Sequence, residues 1–124
     1  MKKSKLKTLL IVDDSAVIRK AIASYVSDYD IKIVGTARNG TIALEMFKKY
    51  SPDFVTLDIT MPGLDGFEVL AQMVQINESA HILVVTALAD KATGLRAIKI
   101  GAKSYITKPF RPEKLRQAFQ RLLT

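Results

Sequence analysis

The sequence predicts an α/β fold: a parallel sheet with helices on both faces, joined by right-handed crossovers. Three observations carry this reading. Five short apolar runs recur along the chain, and each is followed by a stretch with helical spacing. The first and fourth runs are nearly continuous in β-branched residues and leucine, as strands covered on both faces require. The 124 residues, 48% of them hydrophobic and 25% charged, have the size and composition of one domain that can bury a core without covalent staples.

Taken in order, the first strand is TLLIVD, residues 8–13. After Ser15, the residues Val17, Ile18, Ala21, Ile22, Tyr25 and Val26 form a helical stripe, with Arg19, Lys20 and Ser24 off it. The second strand is IKIVGTA, 31–37, and the second helix opens at an Asn39-Gly40 cap. It carries Ala43, Met46, Phe47 and Tyr50, and Pro52 prevents its continuation. FVTLD, 54–58, is the third strand, and Phe67, Leu70 and Val74 mark the third helix. HILVVTA, 81–87, is the fourth strand. The helix after it, roughly 90–100, has the weakest pattern, because Gly94 costs about 1 kcal/mol relative to alanine. Gly101 is suited to end it. The fifth strand is SYITK, 104–108; the last helix takes Pro112 in its first turn and shows the clearest stripe, Leu115, Ala118, Phe119 and Leu122.

Composition removes several classes of function. There is no cysteine, so neither a disulfide framework nor a thiolate centre is available, and His81 is the single histidine. No apolar run approaches the ~20 residues of a membrane span, and MKKSKLK is not followed by a signal-type segment, so the expected compartment is cytoplasmic. The net charge is +7, but Lys2, Lys3, Lys5 and Lys7 supply four of those charges, leaving +3. Residues 1–7 therefore read as a solvated basic leader and 8–124 as the domain. Arg111, Lys114, Arg116 and Arg121 near the C-terminus have no interleaved aromatic ladder, and no nucleic-acid partner is expected. The chain ends with the fifth helix, which predicts that no output domain is attached.

Every strand of a parallel sheet ends at the same edge, and ligand sites gather there at the switch point of the strand order. The first strand delivers Asp13 and Asp14 to that edge, the third Asp58, the fourth Thr86 and the fifth Lys108. Three carboxylates in one crevice repel strongly, since two unit charges ~4 Å apart interact by about 4 kcal/mol at an effective dielectric of 20. Lys108 is a single charge. A hard divalent cation with oxygen ligands fits the remainder, and Mg²⁺ suits a site with few carboxylates, retained waters and room for a phosphate oxygen. A helix cap explains one of Asp13, Asp14 and Ser15, but not the chemistry delivered by three other strands. Taken singly, Thr86 is a β-former, Tyr105 a half-buried core tyrosine, and His81, at the opposite edge, structural.

The motifs LLIVDDS, VTLDITMPGLDG, VVTA and GAKSYITKPF occur in that order, and through them the chain resembles the receiver domain of two-component response regulators, most closely the single-domain chemotaxis type. The resemblance runs from Leu9 to Leu123. It implies the flavodoxin-like receiver fold with strand order 2-1-3-4-5. It also implies that Asp58 is the phosphoacceptor. Mg²⁺ would be held by Asp14, Asp58 and the backbone carbonyl of Thr60, with Asp13 acting through water or assisting. Thr86 and Lys108 would contact the phosphoryl oxygens. Thr86 and Tyr105 would form the switch, with Thr86 drawn inward and Tyr105 rotating into the vacated space. The implied donor is a phosphohistidine on a sensor kinase or phosphotransfer protein, as no nucleotide-binding GxxxxGK[ST] loop is present. The implied target is a protein docking on helix 4, strand 5 and helix 5 of a monomer. Thr60 and Leu88 occupy positions that tune water access, and the Lys108-Pro109 bond is expected to be cis.

Three other readings compete. An aspartate-nucleophile hydrolase on a similar sheet needs a second acid two residues after the nucleophile, where this chain has Thr60. A binding module that has lost phosphorylation would not need the full set of Asp13, Asp14, Asp58, Thr86 and Lys108. A receiver cut from a longer transcriptional regulator is compatible with the composition.

Overall fold

The computed structural model describes residues 6–61, 63, 65–87 and 91–123. Met1 to Lys5 of the basic leader, and Leu88, lie outside the described residues. The elements alternate throughout: β1 (Lys7–Val12), α1 (Ala16–Tyr25), β2 (Ile31–Ala37), α2 (Gly40–Tyr50), β3 (Phe54–Asp58), α3 (Gly66–Ile76), β4 (His81–Thr86), α4 (Lys91–Ile100), β5 (Ser104–Thr107) and α5 (Pro112–Leu123). Lys7, assigned to the leader on sequence, opens β1. The strands pair in parallel in the order β2-β1-β3-β4-β5.

That order fixes the layers. The chain steps outward from β1 to β2, then crosses back to β3 and continues to β4 and β5. A right-handed connection reverses face when its direction across the sheet reverses. Thus α2, α3 and α4 share one face, with Phe47, Leu70, Met73 and Ala97 packed on Leu10, Val12, Val55, Leu57, Ile82 and Val84. On the other face, α1 and α5 bring Ile22, Leu115 and Phe119 against Leu9, Ile11, Phe54, Leu83 and Val85. The alternation of core sets along each strand is the period-2 pleat. The crevice between the carboxyl ends of β1 and β3 is the switch point.

Local chemistry sets the element ends. Ser15 Oγ accepts from Ile18 N at 3.3 Å, Asn39 Oδ1 from Ile42 N at 2.9 Å, and Asp65 Oδ1 from Phe67 N at 2.9 Å. α4 is followed by Gly101 at φ +140°, a conformation that only glycine adopts readily. A Cβ at Gly66 would overlap the backbone of Ile59, so glycine lets the start of α3 lie directly on the segment after β3.

Two local features depart from regular patterning. Val17, placed on the buried stripe of the first helix by its spacing, is 75% exposed. It lies five residues before the buried Ile22, which at 100° per residue turns it about 140° away. The pairing of β1 with β2 shifts register between Leu9 and Leu10, whose partners are Ile33 and Gly35, leaving Val34 as an extra residue on the outer strand.

Candidate functional site

The site forms where four strands end. β1 runs directly into Asp13, whose backbone N–H donates to Ala37 O at 3.0 Å and whose carbonyl accepts from Arg19 Nη1 at 2.6 Å. The side chain then turns back on the chain: Asp13 Oδ1 accepts from Ser15 N at 2.9 Å. Asp58 ends β3 in the same way, with Oδ1 accepting from Thr60 N at 2.8 Å and from Thr60 Oγ1 at 2.6 Å. Both are Asx-type turns, in which a carboxylate caps the N–H two residues on. These bonds fix one oxygen of each carboxylate and leave Oδ2 for other partners.

Those partners converge on Lys108. Its Nζ lies 2.9 Å from Asp13 Oδ2 and 3.0 Å from Asp58 Oδ2. The contact to Asp58 is an aligned hydrogen bond. The contact to Asp13 is a charge contact without hydrogen-bond alignment, so Asp13 Oδ2 is a buried oxygen lacking a proper donor. Asp13 and Asp58 are buried, whereas Asp14 is exposed at the mouth. One carboxylate oxygen from each of Asp13, Asp14 and Asp58 lies within 4.8 Å of the others.

Protonation follows the geometry. Burial pushes the carboxyl of Asp13 above its usual range; the ammonium of Lys108 and the hydrogen bond from Ser15 oppose this, and the negative charge of Asp58 adds to it. For Lys108, burial works against the charged form, but attraction to Asp13 and Asp58, with the hydrogen bond to Asp58, outweighs it, and its pKa lies above the ordinary value. Lys108 is therefore a firmly held ammonium between two acids.

Thr86 is buried at the end of β4, one residue past Val85, which is the register partner of Asp58. Its carbonyl accepts from Lys108 N at 2.8 Å, tying the end of β5 to the end of β4. The Lys108-Pro109 bond that follows is cis. Tyr105 pairs in register with Val84, so by the two-residue period of both strands it shares a sheet face with Thr86. It is half-buried and packs on the larger core cluster beneath α4. His81 stands at the opposite end of β4, its ring edge-on to Phe54 at 5.4 Å, away from the acids.

The structure thus gathers Asp13, Asp14, Asp58 and Lys108 around one point, with Thr86 on the adjoining strand end. Sequence reading placed Thr60 here for its carbonyl and missed its hydroxyl; the spacing Asp-x-Thr, like Asp13-x-Ser15, was the available signal. Arg19 was read only as a solvent-side residue of the first helix, and nothing in its spacing announces the bond to Asp13 O.

Three carboxylates, one of them with a half-satisfied buried oxygen, form a hard, all-oxygen donor set suited to a divalent cation such as Mg²⁺. The sequence matches the response regulator receiver domain over residues 9–120. It is 37% identical over 116 residues to the chemotaxis protein CheY of Thermotoga maritima, covering 94% of this chain and 97% of that one. It is 41% identical over 113 residues to CheY of Listeria monocytogenes, covering 91% and 95%. Among solved structures, a chain of the CheX-CheY-BeF₃-Mg²⁺ complex from Borrelia burgdorferi superposes with a TM-score of 0.90 at 30% identity, over 95% of this chain and 90% of that one. With the fold, the acidic crevice and these likenesses in agreement, the chain belongs to the response regulator receiver domain family.

Proposed function

We propose that this chain is a stand-alone response regulator that accepts a phosphoryl group on Asp58 from a phosphohistidine of a partner kinase or phosphotransfer protein. The observation that carries this reading is the bridging of Asp13 and Asp58 by Lys108 beside a third carboxylate, Asp14. Asp58 supplies the nucleophilic oxygen: its bond to phosphorus forms as the phosphorus–nitrogen bond of the donor breaks, giving an acyl phosphate. Lys108 moves from the carboxylate to a phosphoryl oxygen, and the hydroxyl of Thr86 donates to another. Asp13, Asp14, Asp58 and the carbonyl of Thr60 are the residues that would hold Mg²⁺. What the bound ion supplies is neutralisation of charge on the transferring group.

The protein accepts and loses its phosphoryl group by its own chemistry and has no other turnover. Thr60 supports this against the hydrolase reading, because it stands where that enzyme needs a general acid and donates its hydroxyl to Asp58. The output surface is the face of α4, β5 and α5. There Leu95 and Ile98 are 57% and 39% exposed, and a cavity of about 420 Å³ lies between Thr107, Pro109, Phe110, Arg111, Lys114 and Gln117. The coverage of 97% of a chemotaxis relative supports a motility-type partner for a protein acting as a monomer in the cytoplasm. The deciding experiment is Mg²⁺-dependent labelling with a small-molecule phosphodonor, followed by capture of partners that require the phosphate. Wild type is labelled and Asp58→Asn is not; undiminished labelling of Asp58→Asn would remove the assignment.

A further inference from the structure

β1 stops pairing at Val12, whose partners are Ala37 on β2 and Leu57 on β3. The chain then turns from the sheet into α1 through Asp13, Asp14 and Ser15. Asp13 is buried, so its backbone polar groups need partners beyond the end of the ladder. Its carbonyl finds one in Arg19, six residues on, whose Nη1 donates to it at 2.6 Å. Helical side chains lean toward the N-terminus of their helix, which carries Arg19 from the first turn of α1 back over the loop. The backbone N–H of the same residue donates to Ser15 O at 3.0 Å. Arg19 thus closes the helix with its main chain and the loop with its side chain.

The effect reaches Asp14. The Asp13 carbonyl and the Asp14 N–H belong to one rigid peptide plane, and Arg19 holds that plane. The plane on the other side of Asp14 is held through Ser15 N, which donates to Asp13 Oδ1 at 2.9 Å. Asp14 therefore stands between two pinned peptides. It is exposed, so its backbone has to aim its carboxylate, whereas Asp13 and Asp58 are buried and tied by their own side chains.

We propose that Arg19 is a positioning residue for the cation site: by holding the Asp13 carbonyl, it aims Asp14 at the point shared with Asp13 and Asp58. This rests on the reading of the three acids as the holders of Mg²⁺.

Mg²⁺ titration of the full chain, followed by amide NMR shifts, tests the role. Residues that orient metal ligands are worth about 10–100-fold in affinity, and Arg19→Met is expected to weaken Mg²⁺ binding at the lower end of that range. By charge alone, removing a nearby cation would tighten binding, so the sign separates positioning from electrostatics. Arg19→Lys keeps a charged donor and should recover most of the loss. In a double-variant cycle, Arg19→Met is expected to add little to the loss caused by Asp14→Asn, because both act through the same ligand. Unchanged or tighter binding in Arg19→Met, or losses that add in full, would overturn the proposal, as would a lowered melting temperature with unchanged affinity. The ¹³C shift of the Asp13 carbonyl reports the bond with no ion present. If it does not move in Arg19→Met, this role alone is refuted; if the wild type binds no Mg²⁺, the cation reading itself fails and takes this role with it.

Discussion

Replacing Lys108 by methionine removes the ammonium and leaves two buried carboxylates, Asp13 and Asp58, facing one another across the crevice. Breaking a charge cluster costs most when the surviving charge is buried and unpaired; with Lys108 about one-fifth exposed, a loss of about 1–3 kcal/mol is expected. Added Mg²⁺ should recover part of it by replacing the missing charge, whereas wild type gains less. Denaturant titrations with Mg²⁺ and with chelator measure this, and an equal loss in both would contradict a cation site at these acids. The five residues of the site were legible because each ends a strand, and strand ends share an edge whatever the detailed packing. The bonds from Thr60 Oγ1 to Asp58 and from Arg19 to the Asp13 carbonyl were not, because side-chain direction depends on loop geometry that periodicity does not encode.

Among the elements, the segment from β3 to α3 is where backbone approach shapes the candidate site. Gly66 rests on the backbone of Ile59, and this contact places Thr60 beside Asp58. Gly66→Ala must push the two segments apart, and overpacking of this kind costs about 1–3 kcal/mol. A fall in denaturation midpoint together with slower labelling of Asp58 is expected; a variant with wild-type stability would show that the segment yields without strain. Element boundaries were largely readable, since Ser15, Asn39, Pro112 and Gly101 punctuate the helices in the sequence. The spatial order of strands was not: spacing predicts parallel pairing, and the order 2-1-3-4-5 entered through the family resemblance. α4 was the weakest helix on propensity because Gly94 leaves room for the ring of Tyr105 on another element. Val17 was misplaced because a stripe wide enough to include Ile18 and Ile22 also admits a first-turn residue that points outward.

For the molecule as a whole, the pH response divides between the two edges of the sheet. At the carboxyl edge, Asp13 already holds a raised pKa, so protonating it does not drive acid unfolding. At the opposite edge, His81 has a pKa held below 6.5, first by burial and then by Lys103 and Lys7, with Asp53 opposing them. The unfolded chain therefore binds a proton before the folded chain does, and stability should fall as pH drops through about 6.5 toward the lower folded value. Unfolding free energies at pH 7.5 and 5.5 for wild type and His81→Gln test this: the wild-type decline should be smaller in the variant, and an identical decline would assign it elsewhere. The sheet also has two borders in the plane of its hydrogen bonds, and the extra residue at Val34 acts there. A bulged outer strand carrying the exposed Lys32, and a four-residue β5 on the far border, present broken and short ladders to neighbouring molecules. Such borders are poor templates for strand addition. A sheet with such borders is guarded against joining edge to edge with copies of itself.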